Sequence, residues 1–353
     1  MNYSIKSLKA KNASDAYLKL INLINKEGDF IESRNEATVE VMNVAVEIED
    51  PRDRIINISN FRLPFILQET FDILNSNQPR IIHSKEMLEK TMGNSTDPMF
   101  FGNELRQALS RWSLYKIKER FVKDKNTRKA VLSLGNRRNH KHTPCMIYAH
   151  FIIRDNKFYM TAETRGTAVS MGFVNDVFVL TLVQEIIYGW LLEVYPDLEL
   201  GSFLYKTVSL HEYVDVVKSL DAAAALSTTL SNEINGKETK QEDLYDTSYI
   251  PTWDQTLREF KNNIIPIKLT YKEYLQDMGV LYHYCDDFMK AVIKEDVDEG
   301  DITLVSDIQK PQRDFFNSQY FYNWANTMYY YTKSADFGEQ PYLQVFTEGD
   351  LYK

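Results

Sequence analysis

A thiol, a guanidinium and a carboxylate follow one another in a single stretch, Thr143 to Asp176, which reads TPCMIYAHFIIRDNKFYMTAETRGTAVSMGFVND. Cys145 opens it behind Pro144, Arg165 sits within ETRGT, and Asn175-Asp176 close it. A lone cysteine is more often a small buried hydrophobe than a reagent. The chemical alternative is a thiolate nucleophile, which needs a nearby cation to lower its pKa. Arg128, Arg137, Arg138 and Arg165 are the candidate cations. Arg165 is either a surface residue or an anion clamp, since a guanidinium can give two parallel hydrogen bonds to a phosphate. Thr127-Arg128-Lys129 offers a second such clamp or a plain solvated turn. Asn175-Asp176 precede a long apolar run, where either residue would serve as a helix N-cap. Their other possible role is to read a heterocyclic base: a carboxylate accepts from an amino group, and an amide both donates and accepts.

Further groups lie outside this stretch. Glu69 sits among apolar neighbours, as a salt-bridged core residue or as a general acid/base with a raised pKa. His211 and Tyr213 are two apart on an expected strand and so share a side. They are core residues or donors to a sugar hydroxyl. The basic segment NRRNHKH (Asn136 to His142) reads as a solvated loop or an anion contact. The sequence contains no Gly-rich phosphate loop, paired-cysteine zinc pattern or HExxH, and no metal is expected.

The elements that must position these groups follow from hydrophobic periodicity and turn residues. Ser14 to Lys26 is predicted as an amphipathic helix, capped by Ser14 and ended by Gly28. Residues 36–48 alternate as a strand, followed by a turn at Asp50-Pro51. Leu63 to Leu74 and Glu104 to Val122 are predicted helices, with loop between them. Asp124 to Arg128 is a polar turn and Ala130 to Leu134 a short strand. Met146 to Ile153 and Lys157 to Glu163 are expected to pair as a hairpin turning at Arg154-Asp155-Asn156. Val177 to Val194 is apolar enough for a buried helix. Phe203 to Leu210 is a strand running into His211-Glu212-Tyr213, and Val214 to Leu226 continues as a helix. Residues 227–249 are polar and weakly patterned, the best linker candidate. Residues 250–353 read as mainly helical, with an aromatic and acidic end.

Composition bounds the class. The chain has 353 residues, 44% hydrophobic and 26% charged, in the range of a soluble globular protein. A net charge of −9 argues against a general nucleic-acid binder, which needs a basic face, and leaves room for a small anion held by a few arginines. Cys145 and Cys285 are too few for a disulfide framework, so a reducing cytoplasm is the expected setting. No apolar run reaches the roughly 18–20 residues of a membrane-spanning helix, and the N-terminus lacks an apolar signal core.

Taken in order, Glu69, Arg128, Cys145, Arg165, Asp176 and His211-x-Tyr213 resemble the thymidylate synthase and deoxycytidylate hydroxymethylase superfamily. That family has a Pro-Cys nucleophile, a strand hairpin, an Arg-Ser phosphate motif, a Gly-containing turn with the base-reading residue, and a His-x-Tyr pair. The matching pieces are Pro144-Cys145, Arg165, Gly172 to Asp176, and His211 with Tyr213. Residues 69–74 resemble the family helix that carries the catalytic glutamate, and Thr127-Arg128-Lys129 resembles its Ser-Arg-Arg, which reaches the partner subunit's phosphate site. The resemblance spans roughly residues 13–220. Gly172 to Asp176, GFVND, resembles the phage hydroxymethylase form, where the methylating branch ends in Asn.

The resemblance implies an α/β (α+β) fold, a mixed sheet covered by helices, over residues 1–226. It also implies a homodimer joined sheet to sheet, with Arg128 crossing between subunits. The implied substrate is a pyrimidine nucleoside monophosphate, with (d)CMP favoured by Asp176. The implied carbon donor is 5,10-methylenetetrahydrofolate, and a role in making precursors of modified phage DNA follows. Cys145 would add to C6 of the base, and Glu69 would organise water for proton transfer. Arg165, Arg128 and Arg34 would hold phosphate. Asp176 and Asn175 would read the base, and His211 and Tyr213 would bind the sugar. The chain departs from the pattern at Gly166 (Ser in the family), Ala168 (a folate-binding Asp) and Phe101 (the Tyr of a Tyr-Gly pair).

Overall fold

The computed structural model describes residues 3–33, 36–54, 111–133 and 145–214, with positions 56, 66, 70, 109, 273, 276, 277, 279–281, 283, 284, 309–318, 321, 322, 325, 326 and 329. Of the predicted helices over 63–74 and 214–226 only positions 66, 70 and 214 are described, all helical; the rest of both, the loop over 75–103, the basic loop, the linker and most of 250–353 lie outside these residues. So do Glu69, Arg34 and Phe101.

Alternating apolar residues build one mixed sheet. Its strands are β1 (Lys6–Ala10), β2 (Asp29–Ser33), β3 (Glu36–Ile48), β4 (Val131–Ser133), β5 (Met146–Arg154), β6 (Lys157–Thr164), β7 (Thr167–Ala168) and β8 (Glu199–Tyr213). Among the described residues the sheet has eight strands, ordered β1-β3-β8-β6-β5-β4, with β2 on β3 and β7 on β8. The β1–β3, β6–β8 and β7–β8 pairs are parallel and the rest antiparallel. This is the mixed α/β architecture expected. β3 has the predicted ends, 36 and 48. β1 and β2 are too short and polar for periodicity to mark.

The hairpin of β5 and β6 turns at Asp155 and Asn156, with φ of 48° and 57°. Asp and Asn tolerate this left-handed region, and two such residues make the tight turn that suits a twisted strand pair.

The alternation slips by one residue midway along the sheet. On β3, Asn43 takes a φ of 55°, and the pairing passes from Met42↔Ser209 to Val44↔Thr207. On β8, Phe203, Tyr205 and Thr207 are buried before the slip, and Leu210 and Glu212 after it. The β3–β8 register itself is unchanged across this point; register shifts occur instead between Met146 and Tyr148 and between Phe158 and Met160. Bulges of this kind bend strands and re-aim side chains.

Three helices accompany the sheet among the described residues. α1 (Ala13–Glu27) buries Tyr17, Leu20, Ile21 and Ile24. Its cap is Asn12, whose side chain accepts from the Asp15 N–H, rather than the predicted Ser14, which already lies in the first turn. Gly28 ends the helix as expected; a Cβ there would lie 2.3 Å from Val39 Cγ1. α2 (Arg111–Lys123) is the described part of the predicted 104–122 helix and buries Leu114, Ile117 and Phe121.

α3 (Val174–Leu191) is the central helix, apolar on nearly all sides. Its length and composition would suffice to cross a membrane, but 83% of its apolar window is buried inside the fold, the character of a core helix. It begins three residues before the predicted Val177, because a π-helical turn, Val169–Phe173, leads directly into it. Arg54 and Glu185 form a buried ion pair against it, with Arg54 Nε donating to Thr181 Oγ1 at 3.0 Å.

Candidate active site

Cys145 immediately precedes β5 and Arg165 immediately follows β6. The register, Met146 opposite Thr164, sets their backbones side by side. The Arg165 N–H donates to the Cys145 carbonyl at 2.8 Å. Both residues are half-buried. A thiol and a permanent cation therefore occupy adjacent strand ends, as the candidate nucleophile and anion clamp require.

Past Arg165 the chain runs as β7 along β8, with Thr167 opposite Leu210 and Ala168 opposite His211. The strand carrying the predicted sugar-binding pair thus lies beside the segment that follows the predicted phosphate arginine. Gly166 is buried against Ser209: a Cβ there would stand 3.5 Å from Ser209 Cβ and 3.6 Å from its Oγ, an ordinary contact. The Ser209 hydroxyl donates to Glu40 Oε1 and lies 3.3 Å from His211 Nδ1. With its one hydrogen committed to Glu40, the hydroxyl only accepts from His211. His211 and Tyr213 share a side, as predicted, with ring centroids 6.2 Å apart and planes perpendicular.

Asp176 is not an N-cap. Phe173 holds the cap position of α3 without a side-chain hydrogen bond, and Asp176 lies inside the first turn. Its carboxyl is turned to the sheet instead, where Oδ2 accepts from the Tyr205 hydroxyl at 2.6 Å. Tyr205 is fully buried on β8, with Phe173 edge-on at 5.3 Å. The Tyr205 oxygen is 3.4 Å from Thr164 Oγ1 and also hydrogen-bonds Thr167. Thr164 adjoins Arg165, so hydrogen bonds link the strand end of the cysteine and arginine to the helix end of Asp176.

Asp176 keeps part of its surface open, but dense packing around the carboxyl pushes its pKa up to about 7, while the Tyr205 hydrogen bond pulls it down. Burial, and then the adjacent carboxylate, hold the Tyr205 phenol well above its ordinary value. Asn175, next to Asp176 in the same turn, is half-buried.

The turn leading into α3 is fixed from behind. Glu212 Oε2 accepts from the Ser170 N–H at 2.7 Å, and burial raises the Glu212 carboxyl. Thr167 Oγ1 presses on Gly172, where a Cβ would come within 2.3 Å.

Arg128 does not join this group within its own chain. It is exposed ahead of β4, and β4 pairs Val131 with His150 and Ser133 with Tyr148. The chain before β4 therefore runs toward the end of β5 remote from Cys145. Tyr205, Thr164, Thr167, Ser209 and Glu40 are polar partners of the site that sequence spacing does not single out. In an alternating strand Tyr205 reads simply as core.

No protein-family model matches the chain. The chain is similar to a putative thymidylate synthase of Methanocaldococcus jannaschii, 22% identical over 231 residues that cover 59% of this chain and 90% of the relative. The mixed sheet with its helices is consistent with a thymidylate-synthase-like fold.

Proposed function

We propose that this protein is a one-carbon transferase acting at C5 of a pyrimidine nucleotide, and that its substrate is (d)CMP, which it hydroxymethylates. The observation that carries this reading is the Asp176 carboxyl. It stands in the first turn of α3, hydrogen-bonded by Tyr205 and held up to about 7 by burial. Cytosine offers an amino donor beside a ring-nitrogen acceptor. A carboxyl group that keeps its proton near neutrality complements both, accepting from the amine and donating to the nitrogen.

Arg165 anchors the phosphate beside Cys145, and the sugar meets His211 and Tyr213. The Cys145 thiolate forms a bond to C6, and the C5=C6 electron pair makes C5 a carbon nucleophile. C5 bonds to a one-carbon unit at the oxidation level of formaldehyde and loses its proton, and the unit's bond to its carrier breaks with the electron pair leaving on the carrier, so that an exocyclic methylene remains on C5. Water then supplies the hydroxyl, and the S–C6 bond breaks to return the thiolate. The net change is replacement of C5–H by C5–CH2OH, with no oxidation or reduction. Glu69 is assigned the proton transfers by resemblance.

The carbon donor implied by resemblance is 5,10-methylenetetrahydrofolate. Ala168, half-buried at the position of the folate-binding aspartate, gives no hydrogen bond to it. The described residues do not by themselves build a folate site, and no step requires the carrier to be folate. A homodimer, in which Arg128 reaches the phosphate of the other subunit, belongs to the same reading, as does a cytoplasmic setting.

The test is to incubate the protein with dCMP and methylenetetrahydrofolate and weigh the product. A nucleotide heavier by one hydroxymethyl group supports the proposal, and unchanged dCMP defeats it. The similarity to a putative thymidylate synthase favours a second reading, methylation or hydroxymethylation of dUMP; the same assay with dUMP separates the two. A third, a nucleotide-binding homologue without catalysis, is motivated by Gly166 and Ala168. It predicts binding with no product from either nucleotide.

A further inference from the structure

Asp176 has two oxygens, and a base-reading carboxyl discriminates only if one is fixed as acceptor and the other left to carry the proton. Tyr205 has the geometry to impose this. Its hydroxyl is 2.6 Å from Oδ2, and the phenol oxygen is itself met by the hydroxyls of Thr164 and Thr167. A phenol has a single hydrogen. The threonine hydroxyls have backbone carbonyls to donate to, Lys206 for Thr164 and Ala168 for Thr167, each at 3.4 Å, and the Tyr205 hydrogen is directed at its shortest partner, Asp176 Oδ2. Oδ2 is then the acceptor, and any proton on the carboxyl resides on Oδ1.

The tyrosine cannot easily swing away. Its ring is fully buried, wedged edge-on against Phe173 at 5.3 Å and tilted against Phe203 at 6.3 Å. The threonines are held too: Thr164 and Thr167 are buried, and Thr167 packs on Gly172, which has no side chain to displace it.

We infer that Tyr205 is a specificity-determining positioning residue, which fixes Asp176 Oδ2 as acceptor and Oδ1 as proton carrier so that the carboxyl reads cytosine rather than uracil. Cytosine presents an acceptor at N3 and a donor at N4, and uracil the reverse. An acid whose proton is free to sit on either oxygen pairs with both bases. One whose proton is confined to Oδ1 pairs with one. The inference rests on the reading of Asp176 as the base contact.

The experiment compares wild type, Tyr205→Phe and Asp176→Asn. It measures dCMP and dUMP affinity by calorimetry, kcat and KM by product mass, and the Asp176 carboxyl titration by 13C NMR. Tyr205 is the titratable group seated on that carboxyl, and the threonines behind it are neutral. Tyr205→Phe keeps the ring and its packing, and a melting curve checks that it folds.

In Tyr205→Phe the preference for dCMP over dUMP is expected to narrow about tenfold, the scale of one hydrogen bond. The change should fall mainly on KM, and the Asp176 titration should move to higher pH. A folded Tyr205→Phe protein with wild-type preference and titration overturns the inference. If Asp176→Asn shifts the preference while Tyr205→Phe does not, the inference alone fails. If Asp176→Asn leaves the preference untouched, the base-contact reading fails and the inference with it.

Discussion

The Arg165 N–H donates to the Cys145 carbonyl at 2.8 Å, joining the last residue before β5 to the first residue after β6. A nucleophile and an anion clamp carried on separate loops would have to be ordered separately. Here one hairpin register orders both, since slipping it by a residue would turn every side chain of β5 or β6 to the wrong face. The same register brings Thr164, and through it Tyr205 and Asp176, into line.

The phosphate end offers a gain-of-function test. Gly166 lacks the serine hydroxyl of the pattern it resembles, but a Cβ there meets only Ser209, at 3.5 Å. Gly166→Ser is expected to fold with an unchanged melting temperature. It should tighten binding of a pyrimidine nucleoside monophosphate about three- to tenfold and leave the nucleoside unaffected. Calorimetry with dCMP and deoxycytidine checks this; equal gains for both would remove phosphate from the Gly166 neighbourhood.

Asp176 also makes stability depend on pH in a definite direction. Its folded pKa, about 7, lies above the unfolded value of 3.8. The folded state therefore holds the proton more tightly, and this contribution is fully present below pH 4 or so. It is lost as pH rises toward about 7 and stays lost above that. Asp176→Asn, which keeps an acceptor for Tyr205, should flatten the profile across that window and stabilise the protein at pH 8 by up to about 4 kcal/mol. Glu212, raised by burial in the same direction, leaves some residual slope. Urea titrations from pH 4 to 8 measure the difference; parallel profiles for the two proteins would contradict the assignment.

The turn into α3 depends on a missing side chain. At Gly172 a Cβ would lie 2.3 Å from Thr167 Oγ1, on a buried residue of β7. Gly172→Ala is expected to cost about 1–3 kcal/mol and to weaken nucleotide binding, because Thr167 must move away from Tyr205. The double variant Gly172→Ala with Thr167→Ala removes the hydroxyl that the new methyl group meets, and should recover part of the lost stability. Denaturant midpoints and dCMP affinity report each.

The legible parts of the sequence were those written in local pattern. β3 alternates so regularly that both its ends, 36 and 48, follow from it. Asp155 and Asn156 mark their turn because few other residues tolerate positive φ. Cys145 and Arg165 stand out by residue type and by their places at strand ends. What local pattern does not carry is the sheet's slip at Asn43 and Val208, a property of two paired strands together. Nor does it carry the true start of α3, because the π-helical turn before it has no spacing signature. Asp176 reads as a cap in one dimension, since only a sheet packed on α3 supplies Tyr205 as its competing partner. Tyr205 itself looks like any inward aromatic until its hydroxyl is seen on a carboxylate.

The central claim, that Cys145 activates C5 of a cytidylate, is tested most directly by release of tritium from C5-labelled dCMP. Wild-type protein supplied with a one-carbon donor should release the label into water. Cys145→Ala should reduce that release by several orders of magnitude while still binding the nucleotide. Release by Cys145→Ala at the wild-type rate, or retention of the label by wild-type protein that binds dCMP, would contradict the account.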